Sequence, residues 1–368
     1  MVSKKLAWLL LAVATTLLIS ACNVQPETLT VVETVEVEKI VEVEKVVEVE
    51  KVVTVEVEAE SAAAAQDGGQ WCSGMKIRFF VGGDAGTPFA VIVNEGARFA
   101  EKDLGPTVEY VYSGWNNEKM LDQLRDAIAA QPDGIAFMGH AGDDAVLPQA
   151  KQAAEAGILM MNQNVDVPKV RAQYGGGYVG ANLYPQGQAL AAEAIRRLNL
   201  NKDSDHILVI GPWAMPGRNI RELGVAEYFE EQGFTVVRGD DSNIGADPLL
   251  LQPTITGAIL DDPQIKVIVY SGSTIATSEQ YLTALNKKPG EIYNIGFDIS
   301  PEILEGIEKG WIQLTSDQQP FLQGYMPIVS LCGMWKFNLS PLNVDTGAGF
   351  VTPENYQSLE ELASQNLR

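Results

Sequence analysis

The chain has 368 residues, of which 46% are hydrophobic and 20% charged. That is enough apolar content, and enough length, for two domains with ordinary cores. The 26 Lys and Arg are outnumbered by 48 Asp and Glu, for a net charge of −22. This excludes a nucleic-acid partner, which needs clustered cations, and it disfavours an anionic lipid surface.

The N-terminus points to export. Lys4 and Lys5 precede an almost unbroken apolar run from Leu6 to Ile19. The run is long enough for the core of a signal peptide and short for a membrane span. It closes in Ile19-Ser20-Ala21-Cys22, which resembles a bacterial lipobox: small residues before a cleavage point, then a thiol that takes a lipid. Residues 1–21 are therefore read as a signal peptide and Cys22 as the lipidation site. The alternative is an ordinary signal peptide followed by an incidental cysteine. An extracytoplasmic location is expected either way, with membrane contact through the lipid alone.

Residues 22–70 follow as a tether. A Val-Glu-Val-Glu-Lys-Val unit recurs at 35–40, 41–46 and 47–52, with Ile40 closing the first copy. A period of six collects no constant face on a helix, and so charged a stretch without aromatics makes no core. Fully extended, it would reach about 165 Å. A coiled-coil stalk and a self-associating strand remain as alternatives. Ser61 to Gly69 reads as a flexible joint.

From Met75 onward strands and helices alternate. Apolar runs at Ile77–Val81, Val108–Tyr112, Gly134–Met138 and Ile158–Met161 read as buried parallel strands. A second series follows at Ile207–Ile210, Thr235–Arg238, Val267–Tyr270, Ile292–Ile295 and Ile312–Thr315. Amphipathic helices are expected between them, including single helices over Pro248–Leu260 and Thr274–Asn286. The class is α/β, with two doubly wound parallel-sheet lobes. In such sheets ligands bind beyond the carboxyl ends of the strands, so the loops there carry the function.

Those loops hold little that could break bonds. No G-x-S-x-G elbow, phosphate-binding loop, paired carboxylates or triad is present, so no enzyme is expected. No Cys or His spacing suggests a metal, and no cofactor is expected. Gly82-Gly83-Asp84-Ala85-Gly86 lacks the spacing of a dinucleotide fingerprint. His206, at a strand start, reads as structural. Cys72 and Cys332 are either bridged or two buried thiols.

What the loops do hold is hydrogen-bonding groups and flat rings. Phe89, Trp115, His140, Asn164, Trp213, Arg221, Asp298 and Gln318 are the candidate ligand-binding residues. Amide, carboxylate and guanidinium groups suit the vicinal hydroxyls of a sugar, and aromatic rings suit its C–H faces. Competing structural roles exist: Asp298 as a helix cap, and Arg221 as an ion-pair partner of Glu222 or Glu227. Gln319 is expected to face solvent or a hinge.

Four stretches carry a resemblance to type I periplasmic sugar-binding proteins, the group of ribose- and galactose-binding proteins and the ligand core of lactose-repressor-like regulators. They are Gly134-Ile135-Ala136 with Asp143 to Pro148 and Ala156-Gly157-Ile158; Tyr178 to Asn182; Gly217 to Gly224; and Ile295 to Asp298 with Pro301-Glu302 and Gln318 to Gly324. The resemblance covers about residues 75–356. It implies two lobes joined by three crossings, near Asn182, Gln318 and Asp345, that close on a ligand. The N-terminal lobe would be 71–182 with 319–344, and the C-terminal lobe 183–318 with 345–368. By resemblance, Phe89 stacks on the sugar ring, while Asn164, Arg221, Asp298 and Gln318 bind its oxygens. Asn164 stands where many members carry Asp, and Ser271-Gly272-Ser273 where many carry Asn-Asp, so ribose and galactose are not singled out. The expected role is solute capture for an ABC permease and its ATPase, by a monomer, with a monosaccharide or polyol as ligand. The alternative is a receptor feeding a signalling or chemotaxis partner.

Overall fold

A computed structural model describes residues 69–368 apart from 216, 217, 245, 246 and 348. The signal peptide, Cys22 and the repeat-bearing tether lie outside the described residues. The first lobe runs β1 (Lys76–Gly82), α1 (Pro88–Leu104), β2 (Thr107–Tyr112), α2 (Asn117–Ala129), β3 (Gly134–Met138), α3 (Asp143–Glu155), β4 (Leu159–Gln163), α4 (Pro168–Tyr174) and β5 (Gly177–Gly180). The second runs α5 (Leu183–Leu198), β6 (His206–Gly211), α6 (Ile220–Glu231), β7 (Val236–Asp240), α7 (Gln252–Asp261), β8 (Ile265–Val269), α8 (Ser278–Thr283), β9 (Tyr293–Phe297), α9 (Pro301–Glu308) and β10 (Ile312–Asp317). The chain returns to the first lobe through α10 (Pro320–Phe337) and β11 (Asn343–Asp345), then ends in the second with β12 (Gly349–Val351) and α11 (Glu360–Ser364).

Each sheet has six strands, in the orders β11-β5-β4-β3-β1-β2 and β12-β10-β9-β8-β6-β7. Alternate side chains of a strand enter opposite cores, which is why these runs read as continuously apolar. Phe79 and Val81 join α10 residues Ile328 and Leu331 on one face of the first sheet, while Phe80 joins Ile135, Phe137 and Met160 on the other. Ile207 and Val209 likewise part from Leu208 and Ile210 in the second.

The crossings lie side by side. Asn182 is bound through its backbone N–H and its side-chain amide to the Asp345 carboxylate, at 3.1 and 2.6 Å. Gln319 donates to the Thr346 carbonyl at 2.9 Å. The three passages therefore form one hydrogen-bonded hinge. It also accounts for a departure from all-parallel sheets. The strands preceding each crossing run into the hinge, whereas β12 starts from it, so β12 pairs antiparallel with β10.

Two expected helices are broken. Pro248–Leu251 is a 3-10 turn and α7 starts after it, because Pro253 supplies no N–H to continue a ladder through that point. Ser273–Thr277 is a second 3-10 turn ahead of α8, which stops at Thr283.

Each lobe also has one close helix pair. A Cβ on Gly324 of α10 would lie 2.0 Å from the Val93 carbonyl oxygen of α1, and one on Gly96 would lie 2.1 Å from that of Phe321. In the second lobe a Cβ on Gly187 of α5 would lie 2.1 Å from the Arg221 oxygen of α6, and one on Gly224 would lie 2.3 Å from that of Tyr184. Cys72 is bridged to Cys332, with Cα atoms 5.5 Å apart, so the start of the first lobe is tied to its returning helix.

Candidate functional site

A cavity of about 490 Å³ opens between the carboxyl ends of the two sheets. Its walls come from the loops after β1 to β4 in one lobe and after β6 to β9 in the other, with Gln318 at the hinge.

The first-lobe wall is aromatic. Phe89 sits at the start of α1, where Pro88 occupies the first turn without needing a donor. Its ring centroid lies 5.6 Å from that of Trp115, which lies 5.4 Å from the ring of His140. Gly82 and Gly83 make room for this stack. A Cβ on Gly82 would lie 2.4 Å from Met138 Sδ, and one on Gly83 would lie 3.0 Å from the Trp115 ring. Burial, followed by the charges of Arg218 and Arg221, pushes the His140 imidazole well below its ordinary range, so it stays neutral. Its Nδ1 is buried without a hydrogen-bond partner. Asn117 Oδ1 and Thr274 Oγ1, also at the cavity, share that condition. Buried polar atoms of this kind are normally hydrogen-bonded, so these three are free to pair with a polar group placed in the cavity.

The hinge end is amide and carboxylate. Asn164 directly follows β4, and Asp298 directly follows β9, the strand at the same place in the other sheet. Both take left-handed backbone, φ 61° and 77°, which Asn and Asp tolerate better than most residues. That conformation ends each strand and turns the polar side chain into the cavity. Gln318 links the two: its Nε2 donates to Asp298 Oδ1, and its Oε1 accepts from Asn164 Nδ2 at 3.4 Å. Asn164 Nδ2 also donates to Gln323 Oε1 at 3.0 Å. Asp298 is not the cap of α9. That place belongs to Ser300, whose Oγ accepts from the Ile303 N–H at 3.2 Å.

The second-lobe wall is charged. The Arg221 guanidinium lies 3.9 Å from the Phe297 ring centroid, donates to the Ser271 carbonyl, and pairs with Glu222 at 3.3 Å. The ion pair and the cavity position thus coexist. Asp241 accepts from Ser271 Oγ. Burial raises the carboxyls of Glu222, Asp241 and Asp298, while Arg221 draws those of Glu222 and Asp298 back down.

Seven of the eight sequence candidates line this one cavity: Phe89, Trp115, His140, Asn164, Arg221, Asp298 and Gln318. Trp213 is the correction. Its indole Nε1 donates to the Val209 carbonyl at 3.2 Å, and its ring packs on the second-lobe core under Arg238. This residue of the loop after β6 therefore packs on the core and does not line the cavity. Arg218 and Asp241 were not among the candidates although both line it. Asp241 follows β7, so the strand-end rule alone would have nominated it. His206 is paired with Asp262 at 2.6 Å, far from any strand's carboxyl end. Among the described residues no helix is long and apolar enough to cross a membrane, and no cluster of His, Cys, Asp and Glu has the geometry of a metal site.

A family model described as a periplasmic binding protein domain matches residues 78–338. Among curated proteins, the chain is 28% identical over 258 residues to the xylose/arabinose-binding protein XylF of Sulfolobus acidocaldarius, a match over 65% of this chain and 61% of that protein. It thus spans less than two thirds of that relative's length. It is 23% identical over 239 residues to the D-allose-binding periplasmic protein of Escherichia coli, covering 63% of this chain and 76% of that protein. Two solved structures share the fold. A carbohydrate transporter of Acidothermus cellulolyticus, in complex with myo-inositol, superimposes with a TM-score of 0.69 at 23% identity, over 80% of this chain and 99% of that one. A solute-binding protein of Burkholderia graminis, in complex with D-arabinose, gives 0.69 at 22% identity, over 78% and 98%.

Proposed function

This chain belongs to the periplasmic binding protein domain family, and from that premise we propose that it is an extracytoplasmic receptor for a monosaccharide or similar polyhydroxy ligand, which it delivers to an ABC permease and its ATPase. The observation that carries the proposal is the hinge triad: Gln318 joins Asn164 of one lobe to Asp298 of the other at the floor of a cavity walled by rings and guanidinium groups. Such a floor offers donors and acceptors in pairs, which is what vicinal hydroxyls require. Phe89 and Trp115 receive the C–H face of the ring. Asn164 and Gln318 give and accept hydrogen bonds, Asp298 accepts, and Arg221 donates in a planar fork. A ligand held by both walls favours the closed arrangement of the lobes, which becomes the form that docks on the permease. The sugar-binding relatives support this choice of ligand class.

Cys22 carries the lipid in this reading, on the strength of the basic start, the apolar run and the small residues before the thiol. Diacylation holds a protein at the membrane where a single chain would not. The Val/Glu/Lys tether then sets how far the receptor can search.

A thermal-shift screen of the purified chain against pentoses, hexoses and polyols tests the proposal. A ligand at a hundred times its Kd adds about 2.7 kcal/mol of stability, a rise of several degrees in Tm. No shift with any sugar or polyol would overturn it.

A further inference from the structure

Two guanidinium groups, Arg218 and Arg221, line the second-lobe side of the cavity beside three carboxylates, Glu222, Asp241 and Asp298. Glu222 is the most deeply buried of the five, only 2% exposed, and lies in the first turn of α6. Its stem backs onto the end of β6: a Cβ on Gly211 would lie 2.9 Å from both Cβ and Cγ of Glu222. The side chain is thereby packed in place, with Oε1 3.3 Å from Arg221 Nε. Its charge is also felt at Arg218, and more strongly there than that of Asp241. One buried carboxylate thus answers both guanidinium groups.

Resting on the reading that the cavity takes a polyhydroxy ligand, we infer that Glu222 is the residue that makes this wall reject acidic ligands. Its carboxylate leaves Arg218 and Arg221 their directed N–H groups while cancelling the positive charge that a sugar acid or sugar phosphate would need. A hydroxyl accepts from the same N–H groups and brings no charge. An incoming anion would meet three carboxylates against two guanidinium groups, with Glu118 adding a further negative charge at the exposed rim. Such repulsion is strong where protein displaces water. Glu222→Gln retains the length of the side chain and an acceptor for Arg221 and removes one negative charge, so two carboxylates then face two guanidinium groups.

The test is isothermal titration of the purified chain with ligands matched in shape and differing in charge: D-glucuronate against D-glucuronamide, and D-galacturonate against D-galacturonamide. D-glucose, D-galactose, D-xylose and L-arabinose serve as the parent neutral sugars. The wild type should bind an amide at least about 10-fold tighter than its acid, and Glu222→Gln should narrow that ratio by about 10-fold. Glu222→Met, also uncharged, should narrow it as well, so the test does not hang on one preparation. Asp241→Asn should narrow it less, and Glu222→Asp, which keeps the charge, should leave it near the wild-type value. If the wild type binds a uronate as tightly as its amide, or if Glu222→Gln and Glu222→Met leave the ratio within about 2-fold, Glu222 is not the determinant and sugar binding stands. Binding of a neutral sugar with neither amide nor acid bound by any variant would mean that shape excludes the acids, and would equally overturn the inference. If none of the compounds binds, the underlying reading fails as well.

Discussion

Gly187→Ala is expected to weaken ligand binding without touching the ligand. The new Cβ would lie 2.1 Å from the Arg221 carbonyl oxygen and 2.9 Å from the Val225 nitrogen. Both are backbone atoms of α6, so no side chain can rotate away. Relief to an ordinary C···O contact of about 3.3 Å requires α5 and α6 to part by about 1 Å. Overpacking of this kind costs about 1–3 kcal/mol, against about 1 kcal/mol gained from alanine's helix propensity. The net loss of stability should thus be small, at most a few degrees in Tm. Arg221 moves with its backbone, however, and its guanidinium is fixed by Ser271 and the Phe297 ring. Losing one hydrogen bond from a charged group costs about 1.5–3 kcal/mol, or roughly 10- to 150-fold in Kd. Titration calorimetry and thermal melting of the same preparations give both numbers. Gly324→Ala is the control, since it makes an equal clash, 2.0 Å from Val93 O, in the other lobe and away from any charged ligand contact. It should cost similar stability and less affinity. If Gly187→Ala lowers Tm while Kd stays within about 2-fold, the α5–α6 contact does not position Arg221.

Reducing the Cys72–Cys332 bridge removes a cross-link over 260 residues. The chain-entropy relation gives about 5.6 kcal/mol for such a loop, so Tm should fall by about 10 °C in reductant; an unchanged melt would contradict this. Burial raises the carboxyls of Glu222, Asp241, Asp298 and Asp317 in the folded state. A raised folded pKa contributes stability that is full below the unfolded value and lost as pH rises through the folded one. The unliganded protein should therefore gain stability as pH falls from neutrality toward the ordinary carboxyl range. Asp298→Asn should flatten that slope, raise the unliganded Tm at neutral pH, and reduce binding at least 10-fold; a lowered Tm would argue that the carboxylate is structural. Cys22→Ser should release the receptor into the soluble fraction, measured by immunoblot of separated membranes, whereas persistent membrane association would remove the lipid from the account.

The strands were legible because they are buried on both faces. Phe79 and Phe80 point into different cores, so their apolar run needs no partner to be recognised. The short strands β5, β11 and β12 escaped separate notice because three or four residues carry no period. Direction was equally hidden: β12 is antiparallel because it starts at the hinge, a fact of topology. At the site, Asn164 and Asp298 could be found from their place after a strand, since left-handed backbone there favours those residues. Trp213 met the same rule and failed it, because the Val209 carbonyl and the core beneath Arg238 compete for its ring. Which of two neighbouring polar residues turns inward is decided by packing, and Arg218 is an example: it follows the same strand yet reaches the cavity.

The central claim is that one ligand is gripped from both lobes at once. It is tested most directly by titrating a sugar that binds the wild-type chain into Asn164→Ala, which alters the first lobe, and Arg221→Ala, which alters the second. Both substitutions should weaken binding by at least about 10-fold, and each should also lower the unliganded Tm by a few degrees, because Arg221 compensates the buried Glu222 carboxylate and Asn164 is hydrogen-bonded to Gln318 and Gln323. Full affinity in either one would mean that a single lobe holds the ligand, and the two-walled site described above would be wrong.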